Sequence, residues 1–153
     1  MMVELSSTDR AILELLQQSG RLTNAEVASR INLSPPACWK RLKRLEEDVI
    51  EGYHASLKRK ALGLDVFAFI SITLCSHSTD AAQQFEKEIL GLRNVLACHN
   101  ISGKCDYLLQ VVARDFEDFQ EVVMKRIQSL SYVKAMNTGF SLREVKRFGN
   151  LPI

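Results

Sequence analysis

The chain holds 153 residues, 46% apolar and 25% charged. That balance suits one globular domain or two small ones and excludes collagen, coiled coil and a disordered tail. No run approaches the roughly 20 charge-free apolar residues of a membrane span: the longest, Val66 to Leu74, runs straight into Cys75, Ser76, His77 and Ser78. Met1 to Arg10 is polar with two acids, unlike a signal peptide. Cys38, Cys75, Cys98 and Cys105 contain no C-x-x-C pair, so they read as thiols of a reducing cytoplasm. The net charge of +2 is small, but Ser34 to Leu45 carries Lys40, Arg41, Lys43 and Arg44 with no acid, a local cluster inside a nearly neutral protein.

In chain order, Ala11, Ile12, Leu15 and Leu16 recur at helical spacing between Ser6 or Ser7 as cap and Gly20 as terminator. Thr23-Asn-Ala-Glu26 fits a capping box opening a short second helix with Val27, Ala28 and Ile31 inward. Asn32 tolerates the left-handed backbone that would end it. Ser34-Pro35 then starts a third helix, in which Cys38, Leu42, Leu45 and Val49 form the buried face while Ala37, Lys40, Arg41 and Arg44 point away, flanked by Pro36 and Lys43.

Two helices joined by a tight turn, the second basic and capped, make a helix-turn-helix. Cationic side chains and the positive helix terminus suit phosphates, and small residues near the start let the backbone approach a groove. The candidate contacts to double-stranded DNA are therefore Ser34, Pro36, Ala37, Lys40, Arg41, Lys43 and Arg44. Trp39, next to Cys38, is expected to pack partly into the core with an exposed edge, and is not among them.

Ile50 to Leu57 reads as a short strand or wing, and Lys58-Arg59-Lys60 with Gly63 as a hinge. These bounds give a winged helix-turn-helix over 1–60 and a second domain over 61–153. The second part predicts a strand over Val66–Leu74, a helix over Thr79–Gly91, a strand over Val95–Ile101, a tight Ser102-Gly103-Lys104 turn, and a strand over Cys105–Ala113. A helix from an Asp115 cap to Leu130 and a strand from Val133 to about Leu142 complete it. The order β-α-β-β-α-β is the ferredoxin-like unit, so the whole chain is an α+β protein. Phe67 and Phe69 alternate with Ala68, Ile70, Ile72 and Leu74, and Leu108 and Val112 with Tyr107, Leu109 and Val111, which makes both sheet faces apolar. Two helices cover one face, so the other is expected to meet a second subunit in at least a homodimer.

Several motifs in this order resemble the Lrp/AsnC, or feast/famine, family of transcription regulators: Asp9-Arg-Ala-Ile-Leu13, Gly20-Arg-Leu-Thr23, Leu33-Ser-Pro35, Cys38-Trp-Lys-Arg-Leu-Lys-Arg-Leu-Glu46, Gly52-Tyr-His-Ala55, Gly103-Lys-Cys-Asp-Tyr-Leu-Leu109 and Arg143-Glu-Val-Lys146. The resemblance implies a DNA-binding domain, a sensing domain of the derived fold, dimers assembling to octamers, and an amino acid effector bound between dimers near the turn that matches Ser102 to Tyr107. Leucine or methionine is the effector it suggests. Two positions depart from the family pattern: Glu47-Asp-Val-Ile50 lacks a glycine between recognition helix and wing, and Lys104 and Cys105 stand where an acid and an aromatic are common. An amino acid needs a carboxylate for its ammonium, donors or a cation for its carboxylate, and a side-chain pocket. Asp106 would supply the first, Gly103 and Lys104 the second, with Tyr107, Thr138 and Phe140 around the pocket; a turn-capping role for Asp106 is the alternative.

No catalytic constellation, phosphate-binding glycine motif or metal site is expected. His54, His77 and His99 are scattered, and adjacent strand residues such as Cys98 and His99 point to opposite faces. The rival readings are an enzyme on a versatile fold, a Cys/His metal or redox sensor using Cys98, His99 and Cys105, and an architectural DNA binder with no effector.

Overall fold

Local capping decides where the first helices begin. The computed structural model describes residues 3–76 and 78–153, apart from the side chain of Val122; Met1, Met2 and His77 lie outside them. Ser6 caps α1 (Ser7–Gln18), its hydroxyl accepting from the Asp9 amide while the Asp9 carboxylate accepts from the Ser6 amide. Thr23 and Glu26 repeat the reciprocal pair at α2 (Asn24–Arg30). Asn32 then adopts φ 54°, and the Leu33 amide donates back to the Ala28 carbonyl at 2.9 Å. That left-handed residue ends α2 and directs the chain into α3 (Pro35–Asp48). Ile12, Leu13 and Leu16 of α1, Val27 and Ala28 of α2, and Cys38 and Leu45 of α3 form one small core.

The residues from Ile50 to Lys58 form neither helix nor strand. The expected wing strand is thus unpaired within one chain. Tyr53 fixes its course: the hydroxyl donates to Glu46 Oε1 at 3.0 Å, and the ring lies so close to Gly20 that a Cβ there would come within 3.1 Å of Tyr53 Cδ1. Burial and the neighbouring Glu46 push the phenol up to about 12.

The chain divides into two units, Met1–Ser56 with Lys146–Ile153, and Leu57–Val145. The segment 146–153 therefore packs with the helix-turn-helix. Gln17 of α1 holds it at both ends of its amide, accepting from the Leu151 amide at 2.6 Å and donating to the Leu151 carbonyl at 3.2 Å. Ile153 joins the small core.

In the second unit, β1 (Val66–Leu74), α4 (Thr79–Leu90), β2 (Val95–Asn100), β3 (Tyr107–Ala113) and β4 (Val133–Phe140) lie close to their predicted bounds. The second helix, α5, is built of three consecutive pieces: Phe116–Asp118, a π-helical Phe119–Met124, and Lys125–Gln128. Asp115 caps it by accepting from the Asp118 amide. The sheet order is β2-β3-β1-β4 and every pairing is antiparallel, as the split βαββαβ unit requires. Val66, Ala68, Ile70, Ile72 and Leu74 pack with Phe85 and Ile89 of α4 and with Phe119, Val123 and Ile127 of α5.

On the opposite sheet face Phe67, Phe69, Leu108 and Val112 are the large apolar side chains, with Phe67 paired to Val112 and Leu108 to Ser71. Phe67 and Phe69 sit edge to face with centroids 5.2 Å apart, Phe69 is 39% exposed, and the Arg59 guanidinium covers Phe67 at 4.6 Å. Further along, Ser71 and Thr73 of β1 share that face by alternation, opposite Asn137 and Ala135 of β4. Among the described residues no helix is long and apolar enough to cross a membrane.

Candidate nucleic-acid interface and effector turn

Helical geometry divides the basic cluster of α3 into two groups with different partners. At about 100° per residue, Arg41 and Arg44 lie toward α1, while Pro36, Lys40 and Lys43 lie opposite the buried Cys38 and Leu45. Arg41 Nη1 donates to Asp9 Oδ1 at 3.0 Å and to Ser6 Oγ at 3.3 Å, and Arg44 Nη2 donates to Asp9 Oδ2 at 2.7 Å. Asp9 is the buried charged residue of this core, at 1% exposure. Burial alone would raise its pKa, but the Ser6 hydroxyl and amide, the Arg41 bond and the Arg44 charge outweigh it and hold the carboxyl at about 2. Arg41 and Arg44 are thus bound to Asp9 rather than simply pointing away from the core, although 40% and 48% of their side chains remain exposed.

The outer face of α3 carries Pro36, Lys40, Lys43 and, near its end, Glu47, all exposed. Trp39 is exposed as well, at 56%, and does not join the side chains packed against the small core, which corrects the expectation of partial core packing with an exposed edge: one residue along a helix is a turn of about 100°, enough to carry the ring out of the core. Lys43 Nζ stands 5.4 Å from the Trp39 ring centroid. At the head of the helix, Ser34 occupies the cap position without a side-chain cap bond. Pro35 and Pro36 have no N–H, so Ala37 brings the first α3 amide free to meet an anion. The helix terminus therefore contributes fewer donors to a phosphate than a helix start without proline. Asn24 joins the two helices, donating to the Pro35 carbonyl at 2.9 Å.

At the β2–β3 connection, the Ile101 amide donates to the Asp106 carbonyl at 3.0 Å and closes a loop over 102–105, with Gly103 at φ 136°. Lys104 is exposed there. The Asp106 carboxylate accepts from the Leu74 amide at 2.7 Å, and its own amide donates to the Ile72 carbonyl at 2.8 Å. Asp106 thus pins the loop to the end of β1.

Tyr107, Thr138 and Phe140 stand apart from the loop. They pair in register with Ile72, Ile70 and Ala68, all on the helix-covered face, so Phe140 lies about 13 Å along the sheet from the level of Tyr107. Tyr107 is buried, its ring tilted at 44° against Phe85 with centroids 4.7 Å apart, and its hydroxyl donates to Glu86 Oε1 at 2.7 Å. Burial and Glu86 push its phenol up to about 12. Thr138 faces Met124 Sδ at 3.9 Å, and Phe140 meets the rings of Phe116 and Phe119 at 5.0 and 5.1 Å. One chain therefore does not gather the six expected effector residues into one cavity. A cleft of about 280 Å³ lined by Glu88, Leu92, Arg126, Ser129 and Leu130 shares none of them. Among the described residues no group of three or more His, Cys, Asp or Glu side chains is placed to hold a metal ion.

A capped helix-turn-helix with a cationic third helix, followed by a βαββαβ domain, defines a DNA-binding transcription regulator with a sensing domain. Comparison with known proteins agrees: residues 5–48 match a winged helix-turn-helix DNA-binding model, and residues 67–151 match the Lrp/AsnC ligand binding domain. The chain belongs to the Lrp/AsnC family. It is 38% identical to a leucine-responsive regulatory protein of Rhizobium meliloti, covering 94% of this chain and 93% of that one, and 34% identical to that of Escherichia coli K12, covering 98% and 92%. Among solved structures, a Neisseria meningitidis transcriptional regulator in complex with L-Met superposes with a TM-score of 0.92 at 35% identity, covering 97% of each chain. An AsnC family regulator of Agrobacterium tumefaciens superposes at 0.90 with 30% identity and the same coverage.

Proposed function

We propose that this regulator meets double-stranded DNA with the outer face of α3 and answers to leucine or methionine at the β2–β3 loop. What carries the first half is the division of the basic cluster: Lys40 and Lys43 stand exposed on a helix whose cap hydroxyl, Ser34, makes no cap bond. Pro36 and Ala37 leave the backbone open to a groove, and the exposed sides of Arg41 and Arg44 supply flanking phosphate contacts. Two copies, joined through the Phe67–Phe69 end of the sheet, present two such helices to a symmetric site, and dimers assemble further to octamers in the cytoplasm. With four to six cations per dimer on phosphates, log K falls with log[salt] at a slope of about −4 to −5. Binding that does not weaken with salt removes this interface.

Support for the effector comes from the relatives: one is named for its response to leucine and another holds L-Met. Gly103 and Lys104 would receive the ligand carboxylate and Asp106 its ammonium, with the side chain enclosed by a second copy because Tyr107 is buried in this chain's own core and Thr138 and Phe140 lie on the helix-covered face of the sheet. A thermal-shift screen of the twenty amino acids tests it. Asp106→Asn keeps an acceptor for the Leu74 amide while removing the charge, so it should abolish the shift by leucine or methionine without lowering the basal melting point. If no amino acid shifts the protein and none alters DNA binding, the chain is an architectural DNA binder.

A further inference from the structure

We infer that Trp39 is a specificity-determining residue that reads thymine through its 5-methyl group in the major groove. The inference rests on the α3 interface proposed above and adds to it a base contact that charge alone does not provide.

Three observations meet at this ring. Trp39 is more than half exposed in a helix whose Cys38, Leu42 and Leu45 turn inward, and leaving a large indole in water forfeits burial that a partner surface would supply. Its neighbours commit that partner to a polyanion: Lys43 stands over the ring and Lys40 follows it in sequence, both exposed. The clamp of Asp9 on Arg41 and Arg44 leaves this flank of α3 with a different chemistry from the other. On a recognition helix in the major groove, an apolar side chain at the edge of a face of phosphate-seeking cations discriminates by contact with the thymine methyl, the one apolar group that base pairs show there. Lys43 over the ring limits its rotamers, so less side-chain entropy is lost on binding.

Trp39 is the chain's single tryptophan, so its own emission, excited at 295 nm, reports the contact in the unmodified protein. The probe is a duplex selected by the full-length protein from a randomised pool. On adding it, Trp39 emission should change and become several-fold less accessible to acrylamide. Replacing individual thymines of that duplex by uracil removes only the methyl; at one or two positions per half-site the protein should lose about three- to fivefold in affinity. Trp39→Ala and Trp39→Leu should lower affinity for the thymine duplex, and Trp39→Ala should bind both duplexes equally.

Unchanged quenching on DNA binding, or an undiminished uracil penalty in Trp39→Ala, overturns the assignment. So does an emission shift that follows protein dilution without DNA, which would place the ring in a contact between copies of the chain. Lys40→Ala and Lys43→Ala distinguish the interface from the thymine contact: if they leave affinity and salt slope intact, the α3 interface itself fails. If they weaken binding while the uracil penalty survives Trp39→Ala, only the thymine contact fails.

Discussion

Replacing Asp9 by Asn removes one charge from the point where α1 and α3 are joined. The carboxylate is buried, while Arg41 and Arg44 are each partly exposed. Its pKa, lowered from 3.8 to about 2, corresponds to about 2 kcal/mol of preference for the ionised form in the folded state. A carboxyl depressed on folding stabilises the protein above its unfolded value and ceases to do so as pH falls through its folded value. The contribution is therefore full at pH 7 and fades between about pH 4 and pH 2. Urea unfolding followed by Trp39 emission, at fixed protein concentration, reads this unit. Asp9→Asn should be about 2 kcal/mol less stable than the natural chain at pH 7, with the gap closing toward pH 2. A gap that persists unchanged at low pH would assign Asp9 to neutral packing and capping, and no gap at pH 7 would refute the clamp altogether.

Asn32→Val puts a β-branched side chain at φ 54° and should cost about 1–2 kcal/mol in the same unfolding assay, whereas Asn32→Gly should cost little or nothing. Alkaline titration followed at 295 nm should show Tyr53 and Tyr107 ionising near pH 12, with Tyr53→Phe and Tyr107→Phe each removing amplitude from that step. Since both phenols are raised in the folded state, the stability they confer is complete below pH 10 and is lost as the pH climbs toward 12. Tyr107→Phe deletes the bond to Glu86 and should destabilise the second unit by about 1 kcal/mol, measured by near-ultraviolet circular dichroism during urea unfolding. Gln17→Ala frees Leu151 from both amide bonds; proteolysis at the 146–153 segment should speed up, and an unchanged rate would mean those bonds hold nothing.

What could be read from the sequence was whatever a few neighbouring residues decide. Thr23 and Glu26 are three apart and satisfy each other whatever the tertiary fold. Asn32 announced its backbone conformation, and the strict alternation of Val66 to Leu74 matched the strand bounds and its buried side. The Asp9 clamp joins residues 32 and 35 positions apart, so spacing within α3 placed Arg41 and Arg44 with the solvent-facing cations. Trp39 is next to Cys38 in sequence, but the helical angle of about 100° between neighbours carries the ring outward. Tyr107, Thr138 and Phe140 lie near the loop or the last strand in sequence, but strand parity sends all three to the helix side. The π-helical piece of α5 leaves no mark in the hydrophobic spacing, since Phe119, Val123 and Ile127 read as a regular helix.

The return of Lys146–Ile153 to the first unit bears on the order of assembly during synthesis. The contact between Gln17 and Leu151 spans 134 residues, so the three helices emerge from the ribosome long before the segment that completes their packing. Local pairs such as the two capping boxes can form at once, but this late contact must wait until the whole second unit has been translated. A ribosome stalled within β4 would thus carry a DNA-reading unit with its helices present and its last fastening absent. Damage confined to residues 151 or 153 would accordingly surface as a defect in helices laid down at the opposite end of the chain.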